Sequence, residues 1–495
     1  MAEATEPGLA QASNRELFQQ AAKQAFELHN SGCHVEAEAA CRSLLNQDPR
    51  DSQVLFLLGM VLHKQGRSRE ALEQMETAAA LHPHSARIFN GLGFVQHHLK
   101  NHAQAVESYS RAVTLGMQAA DTWYGMGNSC YQLGEVERAI DCFQKAVTLE
   151  SRDTASWNNL GKCLNELNRL DESLAAYDQA IAIDPHYSLA RYGRALTLLG
   201  SGRWPEGFRE YNQWRSHGIK PREFPRPRWL GETVPGKTLF LHAEQGFGDA
   251  ILYARFLPQV RERAARVILE CRPELKTLFL HSGIADEIIP YGEEIPPFDY
   301  FTSQASLPGI LGVELNTIPN HVPYLKVLPT SGPMSVPSKN LKVGLAWAGN
   351  STHHNDAARS LRLEDLTPLQ QVPGVTFYSL QTPVPARDQS VFRSWSGLVD
   401  LSAGFTDFLA TAGAVAKMDL VISVDTAVTH LAGALARPVW TLLPFASDWR
   451  WLLDRQDTPW YPTMRLFRQT QRNQWASVVA KAAAELAARV VHRPG

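Results

Sequence analysis

Gly59, Gly93, Gly127 and Gly161 stand 34 residues apart without a slip. A fixed period of that length marks a solenoid whose unit is one helix-turn-helix. Other columns keep step with the glycines. Ala71, Ala105 and Ala139 recur at a constant offset, with Ser173 in the fourth slot. Met75, Tyr109, Phe143 and Tyr177 form the next column, followed by Ala78, Ala112, Ala146 and Ala180. Small residues let paired helices approach, and the bulky column is expected to fill the space between neighbouring repeats. The register runs back through Ala37, Cys41, Leu44 and Pro49 and fades through Gly207 and Tyr211. It predicts about six repeats over 18–217, behind a disordered 1–17. Arrays of this kind mostly bind other polypeptides, so chemistry is expected in the remainder.

Composition excludes several classes. The chain has 495 residues, 44 % hydrophobic and 20 % charged, with a formal net charge of −2, so no global field recruits nucleic acid or an anionic membrane. Cys33, Cys41, Cys130, Cys142, Cys163 and Cys271 form no CxxC pair and are expected as small buried thiols of a reducing compartment. The segment MAEATEPGLAQASN has no basic or apolar signal region. No apolar run reaches the roughly 18 residues needed to span a bilayer. The expected location is the cytoplasm.

Past Arg215 the periodicity changes. Pro221, Pro225, Pro227 and Pro235 forbid a continuous helix, so 218–235 is expected as a linker, docked through Trp229 and Leu230. TLFLHA (238–243), RVILEC (266–271) and FDYFTS (298–303) are short β-rich runs with helical patterns between them. LKVGLAWAG (341–349), VTFYSLQ (375–381), LVISV (420–424) and PVWTLLP (438–444) repeat the theme, and a helical pattern, WASVVAKAAAELAARVV, closes the chain. The alternation predicts parallel sheets in two α/β domains, 236–335 and 336–495, facing a cleft.

Four polar loops fall at predicted strand ends, where open α/β sheets hold their ligands. In HAEQGFGD (242–249), Gly246 and Gly248 permit torsions or a close approach, and Asp249 opens a helix, equally readable as a plain N-cap. Position 251 is Ile, so no dinucleotide fingerprint is present. In LVISVDTAVTHLAG, a buried strand delivers Asp425 and Thr426 to a helix start, with His430 one turn on and backbone NH groups suited to a diphosphate. In WAGNSTHHNDAARS, Arg359 is a permanent cation able to grip phosphate. In PFASDWRW and DTPWYP, the aromatics read as core, while Asp448 and Arg450 could orient a sugar or phosphate. His, Asp and Glu spacing matches no zinc motif and no Asp-x-Asp pair occurs, so no metal is expected.

Repeats followed by EQGFGD, WAGN…ND…RS, DTAVTHLAGAL, DWRW and PWYP resemble bacterial glycosyltransferases fused to tetratricopeptide (TPR) repeats. The catalytic half is similar to family 9, the heptosyltransferases, with a GT-B fold of two facing Rossmann-like domains. The architecture also resembles O-linked N-acetylglucosamine transferases and TPR-containing flagellin glycosyltransferases. The resemblance implies an all-α superhelix followed by a GT-B fold, and metal-free, inverting transfer from a nucleotide-sugar to a hydroxyl. It makes Asp249 the acceptor base. It places Gln245, Gly246, Gly248, Trp347, Gly349, Asn350, Asn355, Arg359, Ser360, Gln381, Asp425, Thr426, Ala427 and His430 on the donor side, with Arg362 as a substitute for Arg359. As a helix N-terminal carboxylate, Asp249 should have a lowered pKa.

Fixed offsets on the first helix of each repeat give Asn90, Tyr124 and Asn158, then Phe94, Asn128 and Lys162, then His97, Tyr131 and Asn165. Amides and aromatics lining a groove could bind an extended protein acceptor. One rival reading is a TPR scaffold with a degenerate transferase half. Another is transfer to a surface glycan or lipid-linked acceptor, for which RERAAR (261–266) is the one basic stretch. Donor base, sugar and oligomeric state are not encoded in any motif.

Overall fold

A computed structural model describes residues 7–214, 222–244, 246–327, 339–352 and 355–492, in two compact units, Met1–Ala190 and Arg191–Gly495. The first unit is a run of helix pairs: Pro7–Asn30 with His34–Gln47, Ser52–Lys64 with Ser68–Leu81, Ala86–His98 with His102–Thr114, Ala120–Gln132 with Val136–Leu149, and Thr154–Glu166 with Leu170–Ile183. Asp51 caps the Ser52 helix, accepting from the N–H groups of Gln53 and Val54 at 2.9 Å. Residues 7–17 are helical rather than disordered. That stretch is rich in Ala, Leu, Gln, Arg and Glu, which favour helix. Cys33 is exposed, whereas the other five cysteines are buried as expected.

The glycine column has a steric cause. A Cβ on Gly59 would stand 2.7 Å from Met75, on Gly127 2.8 Å from the Phe143 ring, and on Gly93 or Gly161 3.0 Å from Tyr109 or Tyr177. The bulky column therefore seats on the glycine of its own repeat. Tyr109 also reaches forward, its hydroxyl 2.5 Å from the place a Cβ on Gly125 would take.

A sixth pair, Ser188–Gly200 with Trp204–Trp214, falls mostly in the second unit. Ala195, Leu199, Trp204, Phe208 and Tyr211 share a buried cluster with Leu239 and Trp460, and Trp204 stacks on Trp460 at 5.2 Å. The repeat register reaches this pair, but its aromatic side chains commit it to the α/β core.

That core holds two parallel sheets. Strands β1 (Val234–His242), β2 (Ala264–Cys271), β3 (Glu287–Pro290) and β4 (Tyr300–Ser303) lie in the order β3-β2-β1-β4. Strands β5 (Leu341–Ala346), β6 (Val375–Ser379), β7 (Leu398–Asp400), β8 (Leu420–Val424), β9 (Val439–Leu443) and β10 (Met464–Arg468) lie in the order β10-β9-β8-β5-β6-β7. The second is the full doubly wound order, and the first is the same order cut short after its fourth strand. In each the winding reverses beside its first strand, which opens a crevice at the strands' carboxyl ends. β8 is buried along its whole length, as a run apolar at all but Ser423 requires.

Of the linker, Trp229 is fully buried and its N–H donates to the Phe301 carbonyl at 2.8 Å, whereas Leu230, expected to dock with it, is 70 % exposed. Phe224 packs with Phe240, Phe298 and Phe301 on a face of the first sheet. The helix Trp475–Val491 closes the chain. Among the described residues, no helix is long and apolar enough to cross a membrane.

Candidate functional site

β1 runs into the helix Phe247–Tyr253, which places Asp249 in the first helical turn. One carboxylate oxygen accepts the Gly246 N–H at 3.2 Å, the capping contact. The other forms an ion pair with Arg450, which a cap does not require. Burial pushes the Asp249 carboxyl up and outweighs the pull of Arg450, opposite to the lowering expected of a helix N-terminus. Gln245 lies outside the described residues.

Arg450 stands on the short turn Trp449–Trp451 that follows β9. Its buried guanidinium also meets Asp448 at 2.8 Å and lies 4.9 Å over the Trp449 ring. The tryptophans of this motif are core, as the sequence suggests, but they carry Arg450 into the site. An arginine between two tryptophans just past a strand was the available signal.

β8 delivers Asp425 and Thr426 to the helix Ala427–Ala434. The Thr426 hydroxyl bonds that of Ser423 at 3.1 Å rather than capping the helix, which starts without a side-chain cap. Asp425 faces the Nε2 of His430 at 3.8 Å. The His430 ring stacks on Trp451, centroids 5.4 Å apart, and its Nδ1 meets the Tyr461 hydroxyl at 3.1 Å. Burial, with Asp448 adding repulsion, pushes Asp425 up to about 6. Burial also drives His430 far down, aided by Arg450, Arg255 and Arg359, so the imidazole is neutral at neutral pH. A Cβ on Gly248 would stand 2.9 Å from His430 Cδ2, so this glycine admits an imidazole from the other sheet. At Gly246 the nearest atom to a Cβ is 3.6 Å away, so no close approach demands glycine there.

Arg359, on the turn Asp356–Arg359 after β5, donates to the Asp425 carbonyl at 3.2 Å and lies 3.5 Å from the Asp356 carboxylate. Gly349 lets it in, since a Cβ there would meet the guanidinium at 2.6 Å. Arg362 is exposed and pairs with Glu364, which leaves the place to Arg359. Three residues expected on the donor hold the loop. The indole of Trp347 donates to Asp388 at 2.9 Å, Gln381 accepts the N–H groups of Trp347 and Ala348, and Ser360 joins Gly349 to Asp356. All three are buried. Asn350 folds a turn onto Thr352, and Asn355 precedes the arginine turn. His353 and His354 lie outside the described residues.

Beside Asp249, a shallow recess is lined by Glu244, Tyr253 and Gln304. Ser303 donates to Glu244 at 2.6 Å. Beneath it the buried Glu270 binds Arg222 and accepts the Ala243 N–H at 3.0 Å. None of these was picked from the sequence, although Glu270 is a lone carboxylate in an apolar strand.

In the first unit, most of the expected groove residues bond to other residues of the repeats. Asn159 donates to Asn128 at 2.9 Å and accepts from the buried Asn158 at 3.0 Å. His97 meets Ser129 at 2.9 Å, Tyr131 bonds Glu166, and Lys162 lies 4.2 Å over the Tyr131 ring. Asn90, Tyr124 and Asn165 are half-buried.

Comparison with known proteins agrees with this layout. Residues 56–120 and 124–188 match the tetratricopeptide repeat. Residues 396–483 match glycosyltransferase family 9 (heptosyltransferase), a span that holds Asp425, Thr426, His430 and Arg450. Protein FlbA of Caulobacter vibrioides is 27 % identical over 333 residues, 60 % of this chain and 55 % of FlbA. The chain thus spans about half the length of that curated relative. Among solved structures, YrrB, described as a TPR protein with an unusual peptide-binding site, is 21 % identical over 36 % of this chain and 94 % of its own, with a TM-score of 0.34. PilF of Pseudomonas aeruginosa is 17 % identical over 41 % of this chain and 99 % of its own, with a TM-score of 0.35. The chain joins a TPR array to a region similar to family 9 glycosyltransferases.

Proposed function

We propose that the protein is an inverting, metal-independent glycosyltransferase that moves a sugar from a nucleotide-sugar to a hydroxyl of a protein acceptor recruited by its repeats. The observation that carries this is the meeting of Asp249, from one sheet, with Arg450, Asp425, His430 and Arg359 from the other. Asp249 takes the acceptor proton as the oxygen bonds the anomeric carbon and the diphosphate departs. A carboxyl raised by burial is a stronger base than the expected cap. Arg450 and Arg359 supply fixed positive charge for the diphosphate, together with the N-terminus of the helix that starts at Ala427. Arg450 also orients Asp249. The protein-acceptor reading draws on the amide and aromatic network of the repeats. It is favoured over a membrane-borne glycan because Arg261 and Arg266, in the one basic stretch, pair with Asp286 and Glu287.

The test is calorimetric titration with UDP, GDP, ADP and CMP in EDTA, on wild type and on Asp425→Ala/His430→Ala. Micromolar binding of one nucleotide, lost in the double variant, is expected and names the donor class. Absence of binding to all four would favour a scaffold with a degenerate transferase half.

A further inference from the structure

The PWYP motif contributes Tyr461, which the reaction outlined above leaves unused. Tyr461 is fully buried, and its hydroxyl lies between His430 Nδ1 at 3.1 Å and the Tyr324 hydroxyl at 3.3 Å. The Tyr324 hydroxyl also meets the Ile251 carbonyl at 3.1 Å and receives an N–H from Arg255 at 3.2 Å. Arg255 is itself buried, its guanidinium 4.5 Å over the Tyr461 ring.

Counting protons gives this chain a direction. A carbonyl can only accept, so the contact with Ile251 uses the single proton of Tyr324. The oxygen of Tyr324 is then an acceptor for both Arg255 and Tyr461. Tyr461 spends its own proton on Tyr324 and can only accept from His430. Satisfying every contact in the chain thus puts the His430 proton on Nδ1 and leaves Nε2 a bare lone pair.

That lone pair faces Asp425 at 3.8 Å, with Gly248 alongside. The groups around it are Asp425 on its own loop, Trp451 and Arg450 after β9, Arg359 after β5, Arg255 behind Tyr461, and the helix carrying Gly248. Burial, aided by the three arginines, keeps the ring uncharged. Above about pH 6, where the Asp425 carboxyl is ionised, it and a bare imidazole nitrogen are both acceptors, and neither can satisfy the other.

We infer that Tyr461 and Tyr324 are positioning residues, which lock His430 as the Nδ1–H tautomer so that Nε2 and the Asp425 carboxylate together accept one hydroxyl proton donor of the ligand. On the reading of this cleft as the donor pocket, the chemical class of that group is a hydroxyl of the nucleotide-sugar. The arrangement selects for a hydroxyl at that point, because an analogue lacking it would leave the buried Nε2 of His430 without a donor.

The test is a long-range proton–nitrogen correlation spectrum of the full chain labelled on histidine nitrogen, recorded without ligand from pH 6 to 8. His430→Gln identifies the resonance by its disappearance. The expected wild-type pattern is a neutral ring, protonated on Nδ1 and bare on Nε2 across the range. In Tyr461→Phe, and independently in Tyr324→Phe, the proton should shift partly or wholly to Nε2. A wild-type ring protonated on Nε2, a cationic ring at pH 7, or a tautomer unmoved in both variants would overturn the inference. The wild-type spectrum decides even if one variant does not fold. Because no ligand is present, failure here is separate from failure to bind nucleotide in the titration.

Discussion

Asp425 should weaken the fold it belongs to, by an amount the structure sets. Its carboxyl is pushed from 3.8 to about 6 by burial and by Asp448. The native state therefore holds a proton that the unfolded chain has already released. Stability is complete below pH 4 and falls as pH rises from about 4 to about 6, after which the loss is constant. At about 1.4 kcal/mol per pKa unit, the loss is about 3 kcal/mol. Asp425→Asn keeps the shape and discards the charge. It should match wild type at pH 4 and exceed it by about 3 kcal/mol at pH 7. Guanidinium unfolding at pH 4, 5, 6, 7 and 8, followed by tryptophan fluorescence, measures this. All of the 12 tryptophans except Trp123 and Trp157 lie beyond residue 190, so the signal reports the second unit. Equal stability of the two proteins at every pH, or an Asn variant weaker at pH 7, would refute the reasoning. Loss of nucleotide binding in the same variant would show what the charge is kept for.

Three further outcomes follow from contacts described above. Asp249→Ala should lower transfer by roughly 10²–10⁴-fold, with nucleotide affinity retained, and a loss below tenfold would return Asp249 to the rank of a cap. Arg450→Met strands the carboxylates of Asp249, Asp448 and Asp425 and should cost about 3–5 kcal/mol in denaturant melts. Part of this should be recovered on adding Asp249→Asn, so strict additivity of the two changes would argue against the pair. Gly127→Ala gains up to about 1 kcal/mol of helix propensity but drives a methyl against Phe143 at 2.8 Å, for which overpacking costs about 1–3 kcal/mol. A net loss of stability of the first unit, relieved by Phe143→Leu, is expected, and a stabilised Gly127→Ala would show that the column has slack.

The parts of this structure that can be read from sequence are those where local pattern and tertiary demand coincide. The 34-residue spacing survives because each repeat solves the same packing problem, a ring on a bare Cα. β8 announces itself because a strand buried on both faces is apolar at every position but Ser423. Strand β7 goes unseen because three residues are too few to display a period, whereas β3 and β10, as long as β4 and β8, are broken by Glu287 and Pro290 or by Arg465 and Arg468. The site divides in the same way. Asp249, Asp425 and His430 stand out at strand ends, and the structure brings them together. Arg450 is legible as a group able to orient a sugar or phosphate, but its ion pair with Asp249, 201 residues away, is not. Trp347, Ser360 and Gln381 look like ligand contacts because loop-building hydrogen bonds use the same side chains that ligands do. The sign of the Asp249 shift depends on burial, which no neighbour in the sequence reveals.

Trp204, Phe208 and Tyr211 draw a boundary that differs from the one drawn by the repeat period. An α/β fragment cut at the linker would shed these side chains and leave Trp449 and Trp460 facing water. The portable cassette is therefore the run of five pairs ending at Ile183. Exchange of repeats between chains of this design, by recombination or by engineering, would have to splice upstream of the sixth pair, which travels with the α/β region as its foundation.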